Sequence, residues 1–325
     1  MKNSNNLTTI SQSHSQKKFE SIIQNPYFSL LLVSLIWGIN FSIVKQGIMI
    51  IGPLSFSFIR FTVSSLIMII LLWRIEGNPF IKIKDIWYFI LLGALGFGIY
   101  QPLWSYGLRL TLASHSAILL SISPIVVILI TFLKKEEYIE WYNFLGIGIG
   151  FLGVTFLISQ GKPSSSSPNI LLGDILTLLA AICWGLYSYY GKHMLRKYSP
   201  LKTSCWSILL GTLIMLPISY FEINDLDFFS DMTLSVYLSM GYAIFLSAIL
   251  AYIIWMNGIK KIGASRTSAF QYVTQIFGVI GAWLFFKEPI GYRFLVGMVL
   301  VSFGVWLSQR KPRPMFNSID PLVKK

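Results

Sequence analysis

The sequence predicts an all-α membrane protein, with ten transmembrane helices arranged as two inverted five-helix repeats. Its composition is the first observation: 54% of the residues are hydrophobic, 12% are charged, and the mean hydropathy is +0.66. Soluble domains carry about 25% charged residues, so this chain lacks the polar surface that water requires. The other two observations are a series of long apolar segments and an internal repeat.

Ten apolar segments follow one another, each near the roughly 20 residues that a membrane-spanning helix needs. Turn signals and charges separate them, at Gly52-Pro53, at Gly77-Asn78-Pro79, along Lys134–Glu140 and along Gly161–Pro168. The unbroken apolar run Val63–Leu72 favours a helix, because barrel strands alternate apolar and polar residues. The predicted spans lie near residues 27–48, 54–73, 86–107, 112–133, 142–159, 171–190, 203–221, 234–256, 265–286 and 291–308.

The beginning of the chain recurs near its middle. Trp37 and Gly38 reappear 147 residues later as Trp184 and Gly185. Lys45 and Pro53 recur at that offset as Lys192 and Pro200, whereas Gly107, Ala113, Ser114, Glu137, Gly146 and Gly153 recur 151 residues later. The repeat unit holds five spans, an odd number, so the second copy enters the bilayer in the opposite orientation. Such a pair of halves suits alternating access to a central site.

The repeat and the polar ends divide the chain into five parts. The first five-helix repeat covers residues 26–160 and the second covers residues 170–309, with a Ser-rich linker at 161–169. Residues 1–25 are polar and are predicted to form a disordered cytoplasmic tail. Residues 310–325 form a second polar cytoplasmic tail.

The formal net charge of +13 is distributed unevenly along the chain. With a cytoplasmic N-terminus and alternating spans, roughly four-fifths of the loop cations fall on the cytoplasmic side, as the positive-inside rule requires. The cations on the other side are Lys45, Arg109, Lys162, Lys287 and Arg293. The basic charge is therefore a topology signal, with both termini cytoplasmic, and does not indicate nucleic-acid binding. We expect the membrane to be a bacterial inner membrane.

Several stretches carry a family resemblance that covers about residues 27–308. Trp37-Gly38, "FSFIRF" with Arg60, "YGLRLTLASHSAILLSISPIVVILI" and "FFKEPIGYRFLVGMVLVSFGVWL" resemble the EamA type of the drug/metabolite transporter superfamily. The resemblance implies ten transmembrane helices, cytoplasmic termini and export or exchange of small metabolites such as amino acids. One departure is Glu136-Glu137-Tyr138, which stands where the second half has Lys287-Glu288-Pro289.

Aromatic and amide side chains at mid-span are the candidate substrate-binding residues. Amides in lipid need polar partners, and aromatic rings around a few amides suit a neutral or zwitterionic organic solute. Arg60 either binds a substrate carboxylate or phosphate, or ties down backbone carbonyls of a neighbouring helix. The predicted set is Trp37, Asn40, Arg60, Tyr100, Gln101, Trp104, Trp184, Tyr187, Tyr252, Trp255, Gln271 and Gln275.

The other ionisable groups of the spans have structural interpretations. Lys45 and Lys192 lie near span ends, where we expect them to extend to the membrane interface. His115 is predicted to be a hydrogen-bonded residue at a helix end, although an imidazole could also relay protons. Asp174 is predicted to serve the N-terminus of the sixth span. With no carboxylate deep in a span, the sequence indicates no fixed proton carrier.

These features favour a secondary transporter for amino acids or related metabolites, acting as an exporter. The alternatives are an importer or exchanger of a nucleotide-like metabolite such as S-adenosylmethionine, or of a sugar phosphate. A membrane-embedded enzyme would need paired carboxylates or metal ligands near its spans, and ATP-driven transport would need a Walker A motif. Neither pattern is found, so we predict no catalytic residue, metal or cofactor. The predicted partners are a small-molecule substrate and the lipid bilayer, with the protein as a monomer or homodimer.

Overall fold

The computed structural model describes residues 25–135, 140–158, 169–225, 231–288, 290–308 and 310. This part of the chain is helical and contains no strand. In chain order its helices are α1 Pro26–Ile51, α2 Pro53–Glu76, α3 Ile83–Leu110, α4 Ala113–Leu133, α5 Trp141–Ile158, α6 Ile170–Met194, α7 Pro200–Asn224, α8 Leu234–Ile262, α9 Ala264–Phe286 and α10 Tyr292–Ser308.

Eight of these helices are long and apolar enough to cross a membrane, namely all except α5 and α10. They coincide with eight of the predicted spans. Helices α5 and α10 cover the other two predicted spans with 18 and 17 residues, so a total of ten membrane crossings stays a prediction. The predicted tails and linker lie almost wholly outside the described residues.

The exposed side chains of the helices are largely apolar and polar side chains are buried within the bundle, as expected in a bilayer. On α2, Leu66 and Ile70 are more than half exposed, whereas Ser57, Arg60 and Ser64 are almost completely buried. Lipid solvates the exposed aliphatic side chains, and the polar ones find partners only within the bundle. Together with the eight apolar helices, this distribution identifies an integral membrane protein.

Proline and glycine set the ends of several helices. Helices α1, α2 and α7 each begin at a proline, whose fixed φ suits the first helical turn and whose missing N–H needs no partner there. Gly52 separates α1 from α2 with a φ of +86°, a conformation that costs glycine little because it has no Cβ. Its N–H donates to the Ile48 carbonyl and closes α1.

Four of the helices are interrupted, at corresponding places in the two repeats. Helix α3 contains a π-helical turn at Ala94–Gly98, and α8 contains a π-helical segment at Ala243–Leu250. Helix α4 breaks after Leu120 and α9 breaks after Ser268. Wider π turns disturb the regular backbone hydrogen bonds and are frequent at functional sites. All four interrupted helices contribute to the central cavity described below.

Helices α2 and α7, which are equivalent in the repeat, run antiparallel. Near the end of α7, the Glu222 carboxylate accepts hydrogen bonds from the backbone N–H groups of Leu54 and Ser55 at the start of α2. At the other end of the pair, Glu76 near the end of α2 accepts from the Ser199 hydroxyl, which precedes α7. Each helix therefore places an acidic side chain at its partner's positive N-terminus, where it is stabilising.

Glycines allow the equivalent helix pairs to pack closely. A Cβ on Gly38 of α1 would collide with Phe277 and the Thr274 carbonyl of α9, and one on Gly185 of α6 would collide with Val126 and the Ser123 carbonyl of α4. These two contacts correspond residue by residue in the repeat. Helices α5 and α10 pack in the same close manner, antiparallel, with Gly146 against Gly304.

Candidate substrate site

A central cavity lies among α1, α2, α3, α4, α6, α8 and α9. Its walls include nine of the twelve residues that the sequence predicted as substrate-binding. These nine are Trp37, Asn40, Arg60, Tyr100, Gln101, Trp104, Trp184, Tyr252 and Gln271. The structure therefore brings together side chains from both repeats, although their role in binding stays a prediction.

The two repeat-equivalent tryptophans form the centre of an aromatic wall. Trp37 and Trp184 meet edge to face with ring centroids 5.3 Å apart, and Tyr252 packs on both at 5.3 and 5.7 Å. Trp255 and Tyr187 do not line the cavity but support this wall from behind, in ring contact with Trp184 at 5.6 and 5.3 Å. Such ring pairs add about 0.5–1.5 kcal/mol each beyond the burial of their area.

Gln275 is the predicted residue that the structure places elsewhere. It accepts a hydrogen bond from the Ser121 hydroxyl at 2.6 Å and pairs with Ser302. Four lining residues were absent from the predicted set, namely Phe41, Leu120, Ser247 and Thr274. Thr274 could have been found, because it lies three residues after Gln271 and therefore on the same helical face. Phe41 carries the same signal, four residues after Trp37, whereas Leu120 and Ser247 carry none.

Arg60 is 2% exposed and faces the cavity without a carboxylate partner among the described residues. Its Nε and Nη1 atoms have no hydrogen-bond acceptor there, which argues against the expectation that they tie down backbone carbonyls. The guanidinium carbon lies 4.2 Å from the centre of the Phe61 ring, a cation–π contact. Buried charges are normally paired, so this guanidinium is available to an anion.

Other polar atoms of the cavity wall are also buried without a partner among the described residues. Asn40 Oδ1 and Gln101 Oε1 are unpaired acceptors, and the indole N–H groups of Trp104 and Trp184 are unpaired donors. Each such atom costs about 1–3 kcal/mol. The cavity therefore offers both donors and acceptors to a bound molecule. In contrast, the indole of Trp37 donates to the Ser247 carbonyl in the π-helical segment of α8 at 3.1 Å.

A buried charged cluster lies at one end of the bundle, and the sequence did not predict it. We call it the end cluster; its members are Lys45, Thr111, His115, Asp174 and Glu288. The Lys45 side chain is only 12% exposed and its ammonium group donates to the Thr111 carbonyl at 2.5 Å. The expectation that Lys45 extends to the membrane interface is therefore wrong, because Glu288 lies 3.9 Å from its Nζ within the bundle.

Asp174 is the second unexpected member of the end cluster. It lies near the start of α6, as the sequence predicted, but it is completely buried. One carboxylate oxygen accepts from the Thr111 hydroxyl, and the other lies 3.3 Å from Nδ1 of His115. His115 stands at the start of α4 and stacks on Phe294 of α10. The expectation that no carboxylate lies deep in a span is not contradicted, because Asp174 is close to the start of α6, but the sequence did not predict its complete burial.

A second cavity is cationic. Tyrosines and basic groups form its walls, including Lys134, Lys192, His193 and Arg196. These basic residues lie near the ends of α4 and α6, where the sequence places the cytoplasmic side. Within the described residues, no group of three or more His, Cys, Asp or Glu side chains is arranged to hold a metal ion.

Comparison with known proteins gives concordant results. An "Uncharacterized transporter YyaM" of Bacillus subtilis (strain 168) is 27% identical, over 90% of this chain and 97% of its own length. A "Probable terminal-alkyne amino-acid exporter" of Streptantibioticus cattleyicolor is 22% identical, over 87% of this chain and 93% of its own. One chain of known crystal structure shares the fold, with a TM-score of 0.57 and 16% identity over 86% of this chain and 98% of that chain.

The family model matches the chain twice. The matches cover residues 24–159 and 171–309, which are close to the two repeats predicted from the sequence. Together they account for nearly all of the described residues, and they confirm the resemblance noted in the sequence. The protein belongs to the EamA-like transporter family.

Proposed function

We propose that this transporter moves amino acids or closely related zwitterionic metabolites out of the cell by alternating access. The observation that carries the proposal is the burial of Arg60 without a hydrogen-bonding partner for part of its guanidinium. Its guanidinium is buried in a central cavity, two of its nitrogens lack acceptors within the described part of the chain, and none of the lining residues is Asp or Glu. A substrate carboxylate would supply the missing acceptor, in the paired geometry that guanidinium groups favour.

The remaining unpaired atoms suit the other end of an amino acid. The side-chain oxygens of Asn40 and Gln101 can accept hydrogen bonds from a substrate ammonium group. The faces of Trp37 and Trp184 add cation–π attraction for the same group. An aromatic wall with a few fixed polar atoms is the usual design of a site for a small organic molecule. The tight aromatic walls favour a compact substrate.

Alternating access is supported by the way in which the two repeats pack. The antiparallel course of α2 and α7, and of α5 and α10, is what an inverted repeat requires. The matching contacts of Gly38 and Gly185 agree with it. We infer ten membrane crossings and two halves of opposite orientation that rock around the central cavity. The positive-inside distribution of charge supports cytoplasmic termini in a bacterial inner membrane.

One relative also supports amino acids as the substrate and export as the direction of transport. The Streptantibioticus cattleyicolor protein is described as a probable terminal-alkyne amino-acid exporter. A sugar phosphate is the second candidate substrate, and the cationic cavity with Lys134, Lys192 and Arg196 is the observation that favours it. The central cavity favours an amino acid over a sugar phosphate. Arg60 is the one cationic residue among those that line it, which is enough to pair with one carboxylate.

The test is a transport screen in proteoliposomes that contain the purified full-length protein. Labelled amino acids, S-adenosylmethionine and sugar phosphates are each offered for exchange against the same unlabelled compound. We expect exchange of at least one amino acid and little of the other classes. Preferred exchange of a sugar phosphate would overturn the substrate assignment.

A matched pair of variants ties the transport to the cavity. Arg60→Met removes the buried guanidinium, and Arg74→Met removes an exposed arginine from the same helix. Loss of a buried hydrogen-bonded charge partner costs about 2–5 kcal/mol, so Arg60→Met should reduce substrate affinity by about 30-fold or more. Arg74→Met should transport normally. Unchanged affinity in Arg60→Met would contradict the proposed role of the cavity.

A further inference from the structure

We propose that the cationic cavity binds a phosphate group, and that its place at the lipid-facing surface of the bundle assigns this group to the headgroup of an anionic phospholipid. Three tyrosines, three lysine or arginine side chains and one histidine line the cavity. None of the described lining residues is Asp or Glu. The cavity lies on the side that the sequence assigns to the cytoplasm, and the inference goes beyond the proposed function because it needs no transported substrate.

Aromatic contacts between two helices shape the wall of the cationic cavity. The Tyr88 ring near the start of α3 lies 5.1 Å from the His193 ring and 6.3 Å from the Tyr190 ring, both near the end of α6. The Tyr88 hydroxyl donates to the Tyr190 carbonyl at 3.2 Å. These contacts join the two helix ends and place the imidazole in a cavity that also holds ammonium and guanidinium groups. Such groups are strong hydrogen-bond donors to phosphate oxygens.

The carboxylate near the start of α3 does not cancel the charge of the cavity, because it is already paired. Asp85 accepts from the Lys197 ammonium group at 2.9 Å and from the Tyr198 hydroxyl at 2.8 Å. In contrast, Arg196 and Lys134 form no ion pair with a described residue. Both of these cations are exposed, so the cavity opens at the protein surface and an anion can reach them from outside.

The position of the cavity along the helices matches the depth of lipid headgroups. Lys134 directly follows the last residue of α4, and Arg196 lies just after the end of α6. The residues before Tyr88 and Lys134 in the chain, Trp87 and Leu133, are 76% and 74% exposed, so apolar surface lies beside the cavity. Tryptophan is enriched at the membrane interface. Basic pockets between helices on the cytoplasmic side of a membrane bind anionic lipid headgroups.

The internal repeat indicates that these cations occupy lipid-facing positions. The repeat equivalents of Arg196 and Lys134, at the offsets of 147 and 151 residues, are Met49 and Phe285. Those two side chains are 55% and 47% exposed, as expected of apolar residues in contact with lipid. The fold therefore does not require a cation at either position. Two cations at lipid-facing positions of one end favour a ligand that comes from the membrane.

An anionic phospholipid satisfies both the charge and the apolar surface. Its phosphate oxygens accept from Arg196, Lys134 and the imidazole of His193, and its acyl chains lie along the apolar surface beside Trp87 and Leu133. A lipid with a choline headgroup carries its own ammonium group, which the cations of the cavity repel. A soluble phosphate compound offers the same acceptors without acyl chains, so it loses the apolar contacts and binds more weakly.

Native mass spectrometry of the purified full-length protein tests the site, because it counts bound lipids directly. Phosphatidylglycerol and phosphatidylcholine are titrated separately, and glycerol phosphate is then added as a competitor without acyl chains. We expect one phosphatidylglycerol to bind about tenfold or more tightly than phosphatidylcholine, and glycerol phosphate to displace it only in large excess. Equal binding of the two lipids would overturn the proposal. Displacement by glycerol phosphate at equal concentration would overturn the lipid assignment and identify a soluble phosphate compound as the ligand.

A matched pair of double variants locates the bound lipid. Arg196→Gln with Lys134→Gln removes an arginine and a lysine from the cavity, and Arg74→Gln with Lys260→Gln removes the same two residue types elsewhere on the predicted cytoplasmic side. All four residues are exposed, so both variants should fold. Each cation near an anionic membrane surface changes affinity about fivefold. The cavity variant should therefore bind phosphatidylglycerol about 20-fold more weakly, and the control variant should bind it as the parent does. An equal loss in both variants, or no loss in the cavity variant, would refute the assignment.

Two glutamates close in sequence to Lys134 are tested separately. Glu136 and Glu137 lie outside the described residues. Glu136→Gln with Glu137→Gln should leave the affinity for phosphatidylglycerol unchanged or raise it, because a nearby carboxylate competes with phosphate for the same cations. Weaker binding in this variant would contradict the charge argument. None of these measurements requires a transported substrate, so a failed transport screen leaves the lipid site intact.

Discussion

Two cations inside the bundle, the buried Arg60 and the largely buried Lys45, have opposite surroundings. Arg60 lies in the central cavity, and its Nε and Nη1 atoms have no acceptor among the described residues. Lys45 lies in the end cluster, where its ammonium group donates to the Thr111 carbonyl and faces Glu288 at 3.9 Å. Burial alone therefore does not reveal the role of a charge. We interpret the satisfied charge as part of the structural framework and the unsatisfied one as a candidate ligand-binding group.

The same contrast extends to the neighbouring polar groups. The Glu288 carboxylate in the end cluster accepts from two backbone N–H groups at the start of α4, at 2.8 and 3.0 Å. Asn40 and Gln101 in the cavity each have an unpaired side-chain oxygen. The unpaired polar atoms of the cavity therefore lower the stability of the fold, whereas the paired groups of the end cluster raise it. Substitutions in the end cluster should affect folding, whereas substitutions in the cavity should affect binding.

The largest effect on stability should come from Glu288→Ala. The change strands a buried lysine and removes three hydrogen bonds, and breaking a buried ion pair in this way costs about 3–5 kcal/mol. The measurement is the free energy of unfolding in mixed micelles. Adding Lys45→Met to this variant should recover part of the loss, since no charge is then stranded. A loss below about 1 kcal/mol would mean that the end cluster does not stabilise the fold.

Lys45→Met and Arg60→Met compare the two cations directly. Lys45→Met should lower the free energy of unfolding by about 1–3 kcal/mol, because it leaves the Glu288 carboxylate without its cation. Arg60→Met should leave stability unchanged or raised, since it replaces an unpaired buried charge with an apolar side chain. Thermal unfolding of the purified variants, side by side, measures both. Equal destabilisation by the two changes would remove the contrast.

Close helix packing gives an effect that should be equal in the two repeats. Gly38→Ala and Gly185→Ala each place a Cβ against the backbone of a neighbouring helix, and overpacking of this kind costs about 1–3 kcal/mol. Gly148→Ala is the control, because a Cβ there meets no atom within 4 Å. The unfolding free energies of the three variants should separate the first two from the third. A large difference between Gly38→Ala and Gly185→Ala would argue against equivalent packing.

The smallest effect should distinguish the two central tryptophans. Trp37→Phe removes the hydrogen bond to the Ser247 carbonyl and should lower stability by about 1 kcal/mol. Trp184→Phe removes an N–H that has no partner, so it should weaken substrate binding with less effect on folding. Unfolding and substrate affinity are measured on both variants. If Trp184→Phe lowered the free energy of unfolding more than Trp37→Phe did, the cavity wall would depend mainly on Trp184 for its stability.

The sequence predicted more of the cavity than of the end cluster, and the reason is physical. Amides and aromatic rings are conspicuous in an apolar span, so Trp37, Gln101 and Gln271 could be recognised from their positions alone. Lys45, His115 and Asp174 lie close to span ends, where exposed polar residues are common. Only their contacts distinguish a buried network from an interface. Glu288 likewise lies between two spans, and nothing in its neighbourhood indicates a partner 175 positions earlier in the chain.

Composition, apolar length and the internal repeat are local or periodic properties, so the sequence alone determined the membrane environment, the helices and the family. In lipid, the backbone has few alternatives to a helix, so these properties could be inferred without the tertiary structure. Tertiary structure alone decided which buried groups are paired. The π-helical segments of α3 and α8, the meeting of Trp37 with Trp184, and the junction of His115 with Asp174 depend on how the helices pack. A residue's chemistry is fixed by its type, but its function depends on the neighbours that folding gives it.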